Sequence, residues 1–312
     1  MARLAYVFPG QGSHYVGMGK DLYDAVAAAR DIYRAADAAL GFALSELCFN
    51  GPAEELTDTV NQQPALLTTS IAVLEALRAA GKERQAPSFV AGHSLGEYSA
   101  LVAAGALAFA DAVRLVRERG RLMKAAGDET PGAMAAVLNL EDSAVEAVCA
   151  EASQQTGGPG VVCANYNSPG QVVVSGEKSA LEAAAALAKA RGARRVVPLA
   201  VSIASHSPLM AGAAREFARS VEATHFREAA VPLIANVTGR PISAVGDIRR
   251  ELVEQLINPV RWTASVQYMV AEGVTQFYEI GPKDVLAGLI RRISESTQVI
   301  SIGTVEAVDR LE

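Results

Sequence analysis

The sequence has few cysteines, and they show no pairing pattern. Only three occur in 312 residues, and none forms a Cys-x-x-Cys pair. This excludes a disulfide framework as the basis of the fold, and we expect a reduced, cytoplasmic setting. No 18 uncharged apolar residues follow one another, and the first apolar run ends too early, at Pro-Gly, for a signal peptide. We therefore expect no membrane association.

An excess of basic charge is also missing. The chain has 28 Lys and Arg against 34 Asp and Glu, a net charge of -6. Such a chain has no general attraction for nucleic acid or anionic lipid, so any acidic partner must meet a local basic patch. Half of the residues are hydrophobic, and only 20% are charged. This composition predicts a globular protein with a substantial core.

The order of apolar segments predicts an α/β fold. Short β-branched runs alternate with alanine-rich helical segments, which is typical of a mainly parallel sheet covered by helices. A helix is predicted over residues 64–80. Strands are predicted at residues 4–8, 88–91, 231–237, 275–280 and 299–302.

The middle of the chain has a different order. Between residues 133 and 199 the pattern reads strand, helix, strand, strand, helix, strand, with Asn-Ser-Pro-Gly at 167–170 as a hairpin turn. This βαββαβ order predicts a ferredoxin-like subdomain. We expect it to occupy residues 131–201 and to interrupt a large domain, similar to the α/β-hydrolases, made of residues 1–130 and 202–312.

The strongest local motif is Gly-His-Ser-Leu-Gly at residues 92–96. It follows a predicted strand and opens a predicted helix, as a nucleophile elbow does, which makes Ser94 a candidate nucleophile. The amide of Leu95 at the helix N-terminus would face an oxyanion formed there. An ordinary strand-to-helix turn is the alternative interpretation.

A serine nucleophile needs a general base, and the sequence has four histidines. His93 adjoins the serine and is assigned an orienting role, and His225 lies in a polar stretch expected at the surface. His206 follows a predicted strand in a loop, which makes it the preferred base, with a plain loop histidine as the alternative. No acidic partner is evident, so a backbone carbonyl from residues 254–259 is a possible orienting group. His14 is the fourth histidine.

Arg119 is the most informative single residue. On a helix over residues 112–124, with Asp111 as the predicted N-cap, it lies on the apolar face rather than among the basic residues. A buried cation needs an anionic partner. That partner is either a carboxylate of the protein or the free carboxylate of a substrate, which a guanidinium binds in bidentate fashion. The second interpretation predicts a dicarboxylic acyl group.

Gly-Gln-Gly-Ser at residues 10–13 follows the first predicted strand but is not a dinucleotide fingerprint, because Tyr15 occupies the third glycine position. The sequence has no phosphate-binding loop of the Gly-x-x-x-x-Gly-Lys type either. The amide of Gln11 is instead a candidate second oxyanion donor, with a plain turn as the alternative.

Several motifs together resemble one family, the malonyl-coenzyme A:acyl carrier protein transacylases, over nearly the whole chain. The motifs are Phe-Pro-Gly-Gln-Gly-Ser at 8–13, Gln-Pro-Ala-Leu at 63–66, Gly-His-Ser-Leu-Gly-Glu-Tyr at 92–98, Arg-Gly at 119–120, Asn-Tyr-Asn-Ser-Pro-Gly-Gln at 165–171, Ser-His at 205–206 and Asn-Pro-Val-Arg-Trp at 258–262.

The resemblance implies a role for each matched residue. Ser94 would be acylated, His206 would be the general base and acid, and Arg119 would hold the malonyl carboxylate. The amides of Gln11 and Leu95 would form the oxyanion hole. The following residues would support the site: the main-chain carbonyl of Gln255 orienting His206, and Asn165, Asn167 and His93 lining the cleft.

The resemblance also implies a ping-pong reaction between malonyl-coenzyme A and the phosphopantetheine thiol of acyl carrier protein, for fatty acid synthesis. It implies no metal or redox cofactor, no nucleic-acid partner and a monomer. Arg191, Arg194 and Arg195 are candidates for binding the acidic carrier. Ile-Ala-Ser at 203–205, before the histidine, differs from the commoner Val-Pro-Ser and leaves tolerance of methylmalonyl open.

Three alternatives remain open. A stand-alone polyketide acyltransferase for malonyl or methylmalonyl units would share every catalytic residue. An acyl hydrolase would use Ser94 and His206 but release the acid to water. A catalytically silent carrier-binding module is the third alternative.

Overall fold

The computed structural model of the protein describes residues 3–158 and 160–311. The strands are β1 (Arg3–Phe8), β2 (Phe89–Gly92), β3 (Gly132–Leu138), β4 (Val161–Ser168), β5 (Gln171–Glu177), β6 (Arg195–Pro198), β7 (Leu233–Ile234), β8 (Pro241–Ile242), β9 (Val274–Ile280) and β10 (Gln298–Ile302). The helices are α1 (Lys20–Ala25), α2 (Ala27–Leu40), α3 (Leu44–Asn50), α4 (Ala53–Thr57), α5 (Thr59–Ala79), α6 (Gly96–Ala103), α7 (Phe109–Glu129), α8 (Asp142–Thr156), α9 (Lys178–Ala190), α10 (Ala211–Ala223), α11 (Val245–Glu254), α12 (Trp262–Ala271), α13 (Val285–Ile293) and α14 (Val305–Asp309).

The larger sheet has six strands in the order β10-β9-β1-β2-β7-β8. All neighbours are parallel except β7 and β8, which pair antiparallel. Alternate side chains of β1 point to opposite faces: Leu4, Tyr6 and Phe8 join one apolar cluster, whereas Ala5 and Val7 join another. Helices cover both faces, so β1 is buried on both sides, as in other α/β proteins.

The smaller sheet is antiparallel, with the order β4-β5-β3-β6. Helices α8 and α9 pack on one face through an apolar cluster of their own. The predicted α/β class, with a parallel sheet and a separate small antiparallel sheet, is confirmed. The domain boundaries at 131 and 201 stay a prediction.

Two predicted elements differ from the structure. The strand predicted over 231–237 is reduced to β7, because the amides of Asn236 and Val237 donate to the side chains of Glu97 and Glu251 instead of to a neighbouring strand. Helix α5 begins at Thr59, well before residue 64. Asp58 caps its N-terminus by accepting a hydrogen bond from the amide of Val60.

No helix within the two described ranges is long and apolar enough to cross a membrane.

The parallel pairing of β1 and β2 positions the candidate site. Phe8 and Gly92 are register partners at the carboxyl ends of these strands. The loops that follow, which carry Gln11 and Ser94, therefore emerge side by side at one edge of the sheet. Ligands of open α/β sheets bind at this edge.

Candidate active site

Ser94 lies in a sharp turn between β2 and α6. Its φ is 51°, in the left-handed region that a non-glycine residue occupies at a cost of about 1–2 kcal/mol. The glycines on either side allow close packing: a Cβ on Gly96 would lie 2.1 Å from the carbonyl oxygen of Phe8, and one on Gly92 would lie 1.9 Å from the carbonyl carbon of Gly96. This is the geometry of a nucleophile elbow.

The structure brings Ser94 and His206 together. Ser94 Oγ lies 2.8 Å from His206 Nε2, and His206 Nδ1 lies 2.7 Å from the main-chain oxygen of Gln255. A carbonyl oxygen only accepts, so Nδ1 carries the ring proton. Nε2 is then free to accept the proton of the serine hydroxyl. His206 also has a left-handed backbone, with φ 57°.

The environment keeps this histidine neutral. Burial, followed by the positive charge of Arg119, lowers the pKa of His206 to about 3. The hydrogen bond to the carbonyl of Gln255 opposes this shift. At neutral pH the imidazole is therefore a neutral base.

Arg119 is fully buried beside the serine. One guanidinium nitrogen donates to Gln63 Oε1 at 2.9 Å, and the other donates to Gln255 Oε1 at 2.9 Å and to Ser94 Oγ at 3.2 Å. Its Nε has no partner within the residues described. All of these acceptors are neutral, so none of the described hydrogen bonds pairs the positive charge with an anion.

This arrangement bears on the two interpretations of Arg119. Across the described ranges, no carboxylate forms an ion pair with it, whereas the exposed Arg114 and Arg121 of the same helix pair with Asp111 and Glu118. Within those ranges Arg119 therefore forms no direct salt bridge, and its binding of a substrate carboxylate stays a prediction. The prediction of Asp111 as N-cap was wrong: α7 begins at Phe109, and Asp111 lies in its first turn.

The Gln11 and Leu95 main-chain amides have no hydrogen-bond acceptor in the described part of the chain. The amide of Ser94, by contrast, donates to Asn236 Oδ1 at 2.7 Å. The Gln11 side chain donates to Gln62 Oε1 at 2.7 Å, which ties its loop to α5. The amides of Gln11 and Leu95 therefore retain free hydrogens for an incoming oxyanion.

A cavity of about 630 Å³ opens over the serine, and its walls include Gln11, His93, Asn165 and His206. The space is large enough for a ligand of coenzyme size to insert its acyl end. Asn167 does not line this cavity directly. It stands behind His93, whose Nε2 lies 2.8 Å from Asn167 Oδ1.

Three further buried residues belong to this network, although the sequence analysis assigned them no role. Gln63 accepts from Arg119, Asn236 accepts from the Ser94 amide, and Glu97 accepts from the amide of Asn236 at 2.9 Å. Gln63 and Glu97 were part of the family motifs. Glu97 also has a signal of its own, because it is the one charged side chain in α6.

Similar proteins point to one activity. The acyl transferase domain family matches residues 5–308. The malonyl CoA-acyl carrier protein transacylase of Bacillus subtilis (strain 168) is 47% identical over 309 residues, which cover 99% of this chain and 96% of the relative. The enzyme of that name from Escherichia coli (strain K12) is 47% identical over 296 residues, 95% of this chain and 94% of its own.

Solved structures agree with these relatives. An acyl carrier protein S-malonyltransferase from Vibrio cholerae O1 biovar eltor superimposes with a TM-score of 0.95 at 42% identity, over 100% of both chains. A malonyl-transacylase in complex with its type II PKS acyl-carrier protein superimposes with a TM-score of 0.94 at 42% identity, over 99% of this chain and 98% of that one. This chain therefore belongs to the malonyl CoA-acyl carrier protein transacylases of the acyl transferase family.

Proposed function

We propose that this protein transfers a malonyl group from malonyl-coenzyme A to the phosphopantetheine thiol of acyl carrier protein, supplying extender units for fatty acid synthesis. The intermediate is a malonyl ester of Ser94. The observation that carries this proposal is the buried guanidinium of Arg119, which lies beside a Ser94–His206 pair and has only neutral acceptors.

In the first half-reaction, Ser94 Oγ gives its proton to His206 Nε2 and attacks the thioester carbonyl carbon. The carbonyl oxygen becomes an oxyanion, which accepts hydrogen bonds from the amides of Gln11 and Leu95. The carbon–sulfur bond then breaks, and the coenzyme A sulfur takes the proton from His206. The enzyme is left as the malonyl ester, with a neutral imidazole.

In the second half-reaction, the carrier thiol gives its proton to His206, and its sulfur attacks the ester carbonyl carbon. The carbon–oxygen bond breaks, and Ser94 Oγ recovers the proton from His206. Only an acyl group and protons move in this ping-pong cycle, so we write it without a metal or redox cofactor.

The carbonyl of Gln255 takes the place that an aspartate has in a catalytic triad. It accepts a hydrogen bond from His206 Nδ1 at an N···O distance of 2.7 Å and so fixes the tautomer and the ring orientation. A neutral carbonyl stabilises the imidazolium less than a carboxylate would, and this is consistent with the lowered pKa of His206. The imidazolium would form only transiently in each half-reaction.

The carboxylate of the malonyl group would bind to Arg119. A guanidinium offers two parallel N–H donors to a carboxylate, and the bond is stronger than those to the amide oxygens of Gln63 and Gln255. Because one of its nitrogens lies 3.2 Å from Ser94 Oγ, a carboxylate bound there places the acyl carbonyl next to the nucleophile. Acetyl groups lack this anchor.

We infer that residues 131–201 form the unit that covers the cleft, with Asn165 lining the cavity and Asn167 bonded to His93 behind it. Two main-chain hydrogen bonds link strand β4 to Val260, which precedes α12. The amide of Tyr166 donates to the carbonyl of Val260, and the amide of Val260 donates to the carbonyl of Ala164, both at 2.9 Å. The exposed Arg191, Arg194 and Arg195 of this unit would bind the acidic carrier.

A specific observation supports a second candidate, transfer to a polyketide carrier, because one close structural relative is a malonyl-transacylase with a type II PKS carrier. The test mixes the protein with malonyl-coenzyme A and, separately, a fatty acid or a polyketide carrier bearing phosphopantetheine. We expect malonyl-carrier to form faster with the fatty acid carrier. The reverse preference favours the polyketide role, and free malonate without malonyl-carrier contradicts transfer altogether.

A further inference from the structure

The backbone of Ser94 is held from both sides by two side-chain amides. Its N–H donates to Asn236 Oδ1 at 2.7 Å, and its carbonyl oxygen accepts from Gln255 Nε2 at 3.0 Å. Gln255 also accepts from Arg119 through Oε1 at 2.9 Å. These two amides therefore control both the left-handed backbone of the nucleophile and the guanidinium beside it.

Each amide works in only one orientation. A side-chain amide has a carbonyl that accepts and an NH₂ that donates, at nearly the same size. If Gln255 turned over, its NH₂ would face the cation of Arg119. If Asn236 turned over, its NH₂ would face the N–H of Ser94. Either reversal replaces a hydrogen bond by a repulsive donor–donor contact.

The buried carboxyl of Glu97 contacts the donor ends of both amides. Its Oε1 accepts from Asn236 Nδ2 at 3.1 Å and from the Asn236 main-chain amide at 2.9 Å, and Asn236 Nδ2 also donates to the carbonyl oxygen of Gly92 at 2.7 Å. Its Oε2 accepts a short hydrogen bond from Gln255 Nε2. Glu97 itself is fully buried and does not line the cavity. The two oxygens of Glu97 thus favour the observed orientation of both NH₂ groups, together with the carbonyl of Gly92 in the case of Asn236.

A second buried carboxyl, that of Glu251, accepts from the amide of Val237 at 2.9 Å and lies near Glu97. Burial raises the pKa of Glu97, and burial likewise raises the pKa of Glu251 to about 7. One proton shared by the pair avoids two adjacent charges in the core. An amide at position 97 would place a donor where an acceptor now stands, whichever carboxyl holds that proton.

We propose that Glu97 is a positioning residue, which sets the orientation of Asn236 and Gln255 and through them holds Ser94 and Arg119 in the arrangement that selects and accepts a malonyl group. This inference rests on the proposed function, because it takes Ser94 as the acylated residue and Arg119 as the carboxylate anchor.

The test compares two substitutions of Glu97 that separate polarity from size. Glu97→Gln keeps the size but introduces a donor, whereas Glu97→Asp keeps two acceptors on a shorter side chain. The readout is the ratio of acylation rates with malonyl-coenzyme A and acetyl-coenzyme A. We expect Glu97→Gln to lower this ratio about tenfold or more, because it loses a hydrogen bond to a charged group. Asp should stay closer to the wild type.

A role in packing alone predicts the opposite ranking, because Gln fits the space of Glu and Asp does not. Glu279→Gln is the matched control. Glu279 is also a buried carboxyl that accepts from two main-chain amides, those of Leu286 and Ala287 at 2.9 and 2.8 Å, but it does not contact the site. Its substitution should leave the ratio unchanged.

The outcomes separate the two proposals. If the wild type forms no malonyl ester, the proposed function fails. If the wild type forms the ester, the role of Glu97 is overturned by either of two results. One is an unchanged ratio of acylation rates in Glu97→Gln, and the other is a higher ratio in Glu97→Gln than in Glu97→Asp. If Glu97→Gln does not fold, the comparison uses Glu97→Asp and Gln255→Met. The proposal requires that Glu97→Asp keeps the ratio and that Gln255→Met lowers it. A lowered ratio in Glu97→Asp overturns the proposal.

Discussion

The two sheets of the molecule differ in what they bury. At the carboxyl edge of the parallel sheet, polar side chains lie in the interior and bond to one another: Ser94, Glu97, Arg119, His206, Asn236 and Gln255. The cluster between the small antiparallel sheet and its helices is built from aliphatic side chains and two cysteines, Cys149 and Cys163. From β4 of this sheet, Asn165 lines the cavity and Asn167 bonds to His93.

This difference separates the region that sets the chemical step from the region that sets how the carrier reaches the site. A buried polar network is costly unless every member is bonded, so its geometry is specified closely. An aliphatic cluster needs only shape and volume. We therefore expect substitutions in the network to change the chemical step, and substitutions on the small sheet to change how the carrier binds.

The largest effect is expected at Arg119. Arg119→Ala removes both donors to the malonyl carboxylate, so acylation by malonyl-coenzyme A should fall about a hundredfold or more. Acylation by acetyl-coenzyme A should fall far less, and rapid-quench kinetics with both substrates measures this. Arg121→Ala on the exposed face of α7 is the control, because Arg121 pairs with Glu118 at the surface. Equal losses with both substrates would refute a carboxylate anchor.

A smaller effect is expected on the small sheet. Reversing the charge of Arg194 and Arg195 to Glu, at the exposed edge near β6, should raise KM for carrier protein several-fold. The rate of acylation by malonyl-coenzyme A should not change. Added salt should reduce the difference, because it screens exposed charges. Arg310→Glu, on the exposed end of α14, is the control, and an unchanged KM in the double variant would reject this docking site.

The smallest effect is expected from lowering the pH. Because the pKa of His206 is lowered to about 3, its base form persists as the pH falls through 6.5, the ordinary histidine value. kcat/KM for acylation should therefore show no loss due to His206 between about pH 8 and pH 5. Glu251, with a pKa raised to about 7, also titrates in this window. A fall centred near 6.5 that persists in Glu251→Gln would contradict the neutral, buried histidine.

The sequence predicted those parts of the site that depend on local pattern. The elbow at Ser94 is a turn between a strand and a helix, and the apolar neighbours of Arg119 on one helix predicted its burial. The contact between Ser94 and His206 joins residues 112 positions apart, and it was reached by elimination among four histidines and by resemblance.

The sequence could not predict the amides that hold these residues. Asn236 lies in a segment that reads as a strand, and its amides bond to Glu97 rather than to a sheet. Gln255 bonds to Ser94 across 161 positions. Such long-range polar contacts leave no periodicity, because neither partner repeats along the chain. The same contacts explain why β7 ends early.

The most direct test of the account is the mass of the intact protein after incubation with malonyl-coenzyme A, for the wild type and for Ser94→Ala. We predict a single malonyl adduct on the wild type, carried by the peptide that contains Ser94, and no adduct on the variant. A folded wild type that gains no malonyl mass, or a variant that gains the same mass, would contradict acyl transfer through this serine.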